Sequence, residues 1–121
     1  METIVDKHPA LSLQDIKFAG EFIHGICEQF GFPKSTAMLA ESLLWRHLNR
    51  TTQRERATLG ELILACLFIA IKLESSDIAR NSSFMDVIST PVPRHVIIEE
   101  KLNVLESVNW RPLEHCDMIG L

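Results

Sequence analysis

Thr58–Ser75, TLGELILACLFIAIKLES, decides how this chain folds. From Leu62 to Ile71 every side chain is apolar, Cys66 adding only a weakly polar thiol, and Glu61 and Lys72 close the run at its two ends. Ten such residues are too few to span a bilayer, which takes about 20. They are more than the roughly 4–8 of a buried strand. Thr58 followed three residues later by Glu61 is a capping-box pair for a helix start. A helix that is apolar all round belongs at the centre of a packed bundle, so the expected class is all-α.

The flanking sequence supplies the wrapping. Ser12, three residues before Asp15, caps a first helix, Leu13 to Phe30, with Ile16, Ala19, Ile23, Ile26, Cys27 and Phe30 at helical spacing. Gly31-Phe32-Pro33 ends it. A second helix runs from about Ser35 to Asn49 with Leu39, Leu43, Leu44 and Leu48 inward, and a polar connector from Arg50 to Ala57 leads to the central, third helix. After Glu74 come a Ser-rich loop, a short helical piece from Phe84 to Ile88 and a Pro-stiffened connection. Pro93 suits the first turn of a last helix, Pro93 to Val108, whose apolar side carries Ile97, Val104, Leu105 and Val108 and which must stop before Pro112. No apolar run alternates with period two, so no strand is expected. The predicted organisation is a lead-in (1–12), one five-helix domain (13–112) and a tail (113–121). The lead-in reads as extended, since Pro9 discourages an early helix.

Composition narrows the function. A chain of 121 residues holds one domain with a real core, and its net charge of −4 gives no global pull towards nucleic acid or anionic membrane. The N-terminus has no basic stretch followed by an apolar one, so no signal peptide is expected. Cys27, Cys66 and Cys116 are odd in number, widely spaced and without a CxxC, which argues against a disulfide framework or zinc site and for a reducing setting, nucleus or cytoplasm. The histidines show no metal-ligand spacing, and His115-Cys116 has no orienting acid. No catalytic residue, metal or cofactor is expected.

The order of segments resembles a cyclin box. In that family the third helix ends in Ala-x-Lys-aromatic-Glu-Glu, matched by Ala70-Ile71-Lys72-Leu73-Glu74-Ser75, and the fifth ends in Leu-x-Phe/Trp shortly before a proline, matched by Val108-Asn109-Trp110-Arg111-Pro112. The likeness covers roughly Leu13 to Pro112. It implies a regulatory subunit, not an enzyme, whose third and fifth helices pack against the C-helix of a cyclin-dependent kinase and hold it inward. The residue matching Lys72 hydrogen-bonds kinase carbonyls in that family. Leu73, Leu105 and Trp110 match groove-lining positions, and Ile69, one turn before Lys72, borders them. The family's fifth-helix glutamate, partner of the lysine, falls on Ile98 when counted back from Trp110, and a one-residue slip offers Glu99 or Glu100. The family's first-helix motif Met-Arg-Ala-Ile-Leu is replaced by Asp15-Ile16-Lys17-Phe18-Ala19, and the aspartate that pairs with its arginine is Trp45. Losing both partners of a buried pair together is tolerated far better than losing one. The chain stops nine residues after Pro112, so no second cyclin box is expected within it.

Without the resemblance, Lys72 is a charge favoured at a helix C-terminus, Trp110 a core aromatic, and Glu99 and Glu100 a solvated face. Arg46, Arg50, Arg54 and Arg56, with His47, read as a solvated basic loop rather than a phosphate dock. The alternatives to an activating kinase partner are a cyclin mimic that binds without activating, a cyclin-fold nucleic-acid or transcription-factor module, and a helical adaptor. The acidic balance weighs against nucleic acid.

Overall fold

The run from Leu62 to Ile71 lies within a helix, Leu59–Glu74, and each of its ten residues is buried. The structure, a computed structural model, describes residues 3–74 and 92–111. Within them the helices are α1 (Ile4–Lys7), α2 (Leu13–Gln29), α3 (Lys34–Arg50), α4 (Leu59–Glu74) and α5 (Arg94–Ser107). No strand occurs among the described residues. The short helix expected at 84–88 and the tail at 113–121 fall outside them.

Around α4, α3 and α5 make the most extensive contacts, and α2 packs chiefly on α3. The expected inward faces are the observed ones. Ala19, Ile23 and Cys27 of α2, Leu39, Leu43, Leu44 and Leu48 of α3, and Ile97, Val104 and Val108 on and just after α5 are all buried. Each such leucine or isoleucine stabilises the fold by about 1.5–3 kcal/mol relative to leaving it in water. Cys27 and Cys66 are buried free thiols packed as small apolar groups, and burial pushes Cys27 up to about 11 and Cys66 higher still.

Two local readings need correction. The lead-in is not extended throughout. Thr3 and Asp6 form a reciprocal capping box that starts α1, and His8 and Leu11 are buried. Pro9 restricts only the residue before it, and α1 indeed ends at Lys7, with His8 at ψ 77°. The helix-start reading of Thr58 also fails. A 3-10 turn, Arg56–Thr58, runs into α4, and the Thr58 hydroxyl donates to the Glu55 carbonyl at 3.1 Å. At α2 the expected box is present. The Ser12 N–H donates to Asp15 at 2.9 Å and the Asp15 N–H to the Ser12 hydroxyl at 3.1 Å. The Ser12 N–H, with a smaller contribution from Arg56, holds the Asp15 carboxyl below its usual range.

Candidate interaction face

Two faces of α5 differ in what they do with charge. A helix turns 100° per residue, so Ile97, Glu100, Val104 and Val108 share one side, while Ile98, Leu102 and Leu105 share a stripe about a quarter-turn to a third of a turn away. The first set is buried against α4 and α3. In the second, Ile98 is 49% exposed, Leu102 50%, and Leu105 is partly buried. Lys101 stands at the border between the two.

The inner side carries a buried ion pair. Glu100 is 8% exposed and takes the guanidinium of Arg54, which enters from the α3–α4 connector. Arg54 also donates to His47 Nε2 at 3.1 Å and to the Thr58 hydroxyl at 3.3 Å, and its backbone N–H donates to His8 Nδ1 at 2.8 Å. These partners set both imidazole tautomers. His8 Nε2–H donates to the Leu48 carbonyl (2.8 Å), and His47 Nδ1–H donates to the Ser107 hydroxyl (2.7 Å), which in turn donates to the Val104 carbonyl (2.8 Å). Burial, then the Arg54 charge, lowers His47 from its ordinary 6.5 to about 4. The network joins residues from the end of α1, α3, the connector and α5. It corrects the reading of Arg54 as part of a solvated basic loop. Nothing in the local sequence separates Arg54 from its three neighbouring arginines, because its partner lies 46 residues away.

On the outer side, Lys72 projects from the last turn of α4, where the helix dipole favours a cation, and it is exposed. Leu73, next to it, is 46% exposed. α4 packs extensively on α5, and the Lys72 charge acts on Lys101, so the end of α4 with Lys72 and Leu73 lies on the Lys101 side of α5, towards the stripe through Ile98, Leu102 and Leu105.

The expected site residues therefore divide. Lys72, Leu73, Leu105 and Trp110 reach the surface or its edge, whereas Ile69 is a core residue at 5% exposure. Glu99 is exposed, about 160° round the helix from Lys101. Glu100 turns inward and is committed to Arg54 rather than to Lys72. Trp110 is not a core aromatic. It is 59% exposed, in a turn where its N–H donates to the Leu105 carbonyl at 2.8 Å and the Asn109 N–H donates to that of Glu106 at 3.0 Å. This is a Schellman end with Asn109 in the left-handed position, and it sets Leu105 and Trp110 at one corner.

Residues 1–112 match the family model described as cyclin, N-terminal domain. The chain belongs to the cyclin family. No curated protein matches it. The cyclin domain is a regulatory, non-catalytic fold, and among the described residues no cluster of metal-ligating side chains and no helix long and apolar enough to cross a membrane occurs. Ile16 and Trp45, which the resemblance sets where family members carry an arginine–aspartate pair, line one groove between α2 and α3. The polar contact in that seam is His24 with Glu41 at 3.1 Å. Gly20 makes room for it, since a Cβ there would stand 2.5 Å from Glu41 Oε2.

Proposed function

We propose that this cyclin-family protein is a regulatory subunit that binds a cyclin-dependent kinase through the face made by the end of α4 and the outer side of α5, and that it favours the kinase's C-helix-in state. The observation carrying this reading is the half-exposed stripe of Ile98 and Leu102, continued by Leu73 and edged by Lys72. Large apolar side chains gathered on one surface are characteristic of association sites. An ammonium at their rim supplies directional donors for carbonyls that docking would otherwise strand. Trp110 and Leu105 extend the same face at the helix end. Activation follows if the subunit binds the inward C-helix better than the outward one, because equal affinity for both shifts nothing.

The test is co-expression with each cyclin-dependent kinase of the source organism, followed by pull-down and a kinase assay on a generic substrate. A kinase that co-purifies and gains activity supports the reading, and one that co-purifies but stays silent makes the protein a cyclin mimic. Lys72→Glu is expected to weaken the complex tenfold or more with the fold intact. Unchanged affinity removes this face from the binding site.

A further inference from the structure

The last turn of α5 carries more than a helix end requires. A helix C-terminus leaves its final four carbonyls without intrahelical partners. Here each has a donor. Val104 takes the Val108 N–H at 3.1 Å and the Ser107 hydroxyl at 2.8 Å, Leu105 takes the Trp110 N–H, Glu106 the Asn109 N–H, and Ser107 the guanidinium of Arg50 at 2.9 Å. The turn that closes on Leu105 and Glu106 needs one left-handed residue, and Asn109 at φ 56° is that residue. Trp110, at φ 59°, is a second. That region is sterically costly for a bulky side chain and persists only where the surroundings impose it.

Burial of the indole is not what imposes it, since Trp110 is 59% exposed. At the end of α2 the corresponding aromatic, Phe32, follows Gly31 without a positive φ of its own, and it is buried. The constraint at α5 comes from α3. Arg46 and Arg50 are four residues apart and so share one face of that helix. Arg50 holds the Ser107 carbonyl, and Arg46 holds the Arg111 carbonyl at 2.7 Å. These two fixed points bracket Asn109 and Trp110. A cation on Ser107 is an ordinary companion of a helix C-terminus. The bond from Arg46 is not, because it falls on the residue after Trp110, past every carbonyl that the helix leaves open.

We propose that Arg46 and Arg50 are positioning residues. By fixing the chain on either side of Trp110 they keep that residue left-handed and hold its indole outward, as a preformed anchor for an apolar pocket of the partner. The proposal rests on the docking face assigned above and adds the residues, outside that face, that prepare it. A side chain already fixed in its bound orientation has little freedom left to lose on docking, so the constraint is converted into affinity. Tryptophan is also among the residues whose truncation costs most at interfaces. Both guanidinium bonds are solvent-exposed, so water replaces a lost donor and the helix survives its removal. Order at Trp110 is what goes.

The experiment starts without a partner, from nitrogen-15 relaxation of the full chain. In the parent the Trp110 amide is expected to be as rigid as mid-α5, with an order parameter of about 0.85. Methionine keeps the apolar stem and removes the donors. In Arg46→Met, and in Arg46→Met with Arg50→Met, the Trp110 value should fall below about 0.6 while Val104 stays near that of the parent. Arg46→Lys, which restores one donor, should return it. Dissociation constants for the co-purifying kinase follow. The double methionine variant should lose at least fivefold and Arg46→Lys less than twofold. In a Trp110→Ala background the two methionines should change affinity by less than twofold, because the arginines act through the indole. An order parameter unmoved by Arg46→Met and by the double variant overturns the positioning role. So does a methionine effect of equal size in the Trp110→Ala background, since the arginines then touch the kinase themselves. Both outcomes leave the docking face standing. A kinase that binds Trp110→Ala as tightly as the parent, or no kinase bound at all, overturns the anchor and this part of the face. The order parameters, read on the free protein, tell that failure from the first.

Discussion

Glu100 and Lys101 are neighbours in sequence and opposites in circumstance. Glu100 is buried among Ile97, Val104 and Val108, and its counter-charge, Arg54, comes from the chain's own connector with two histidines and a threonine arranged around it. Lys101 sits at the edge of a stripe of half-exposed apolar residues, and the charges that act on it, Lys72 and Arg94, are of its own sign. One side of α5 is electrostatically complete within the described residues and the other is not. On the proposed function, the difference separates what holds this domain together from what it offers to another molecule. Substitutions on the inner side should register in stability, and those on the outer side in association.

The largest break in that contrast is expected from Glu100→Ala. Removing one partner of a buried pair leaves the other charged and uncompensated, which costs about 3–5 kcal/mol. Urea unfolding of the variant should show a corresponding fall in midpoint, and loss of less than about 1 kcal/mol would mean that Arg54 finds water or another acid. Next in size is an effect of acid on the same network. His47 binds its proton near 4 when folded and near 6.5 when unfolded, so the unfolded state holds more protons between those values and stability rises with pH there. The contribution is intact above 6.5 and is lost as the pH falls to about 4, on the order of 3 kcal/mol in all. Unfolding curves at pH 7, 5.5 and 4 check this, and His47→Asn should flatten that part of the profile.

Much of the inner architecture was legible because it follows from local rules. The uninterrupted apolar run placed α4 at the centre, helical spacing found the buried faces of α2, α3 and α5, and Ser12 with Asp15 marked a real cap. What escaped depends on distant partners. Arg54 looked like its neighbours because Glu100 is 46 residues on, and the count that offered Glu99 or Glu100 to Lys72 carried no information on which way each side chain turns. The small lead-in helix follows a local rule that Pro9 masks: Pro9 restricts only His8, which leaves the Thr3–Asp6 box free to start a helix ahead of it. Of the proposed interaction face, the motif offered Lys72, Leu73, Leu105 and Trp110 but not Ile98 and Leu102, since surplus apolar surface appears only once the buried side is known.

A smaller test compares two helix ends. α2 closes with Gly31 in the left-handed conformation, at φ 75°, the Phe32 N–H donating to the Cys27 carbonyl at 2.8 Å, and Phe32 is buried. α5 closes with the same hydrogen-bonded turn, but Asn109 holds the left-handed position at φ 56° and the following aromatic, Trp110, remains outside. Glycine carries no Cβ penalty there, so Asn109→Gly should raise thermal stability by at most about 1 kcal/mol, part of the gain being offset by the freer unfolded chain. Gly31→Ala, the converse, should lower it, because alanine is strained at that φ. If both substitutions are neutral, the two turns are held by packing rather than by their backbone preference.

The smallest expected change in stability is the most telling for the outer side. Leu102→Gln exchanges a half-exposed apolar side chain for a polar one of similar length, on a surface with no described polar network to disturb. Such a replacement normally shifts stability by no more than about 0.5 kcal/mol in either direction. Were Leu102 a support of the fold, the loss would approach the 2–5 kcal/mol of a truncated core leucine. A midpoint within experimental scatter of the parent, together with at least a tenfold loss of kinase affinity, therefore assigns this residue to association alone. A large loss of stability would move Leu102 to the inner side and leave the stripe too narrow to seat a helix.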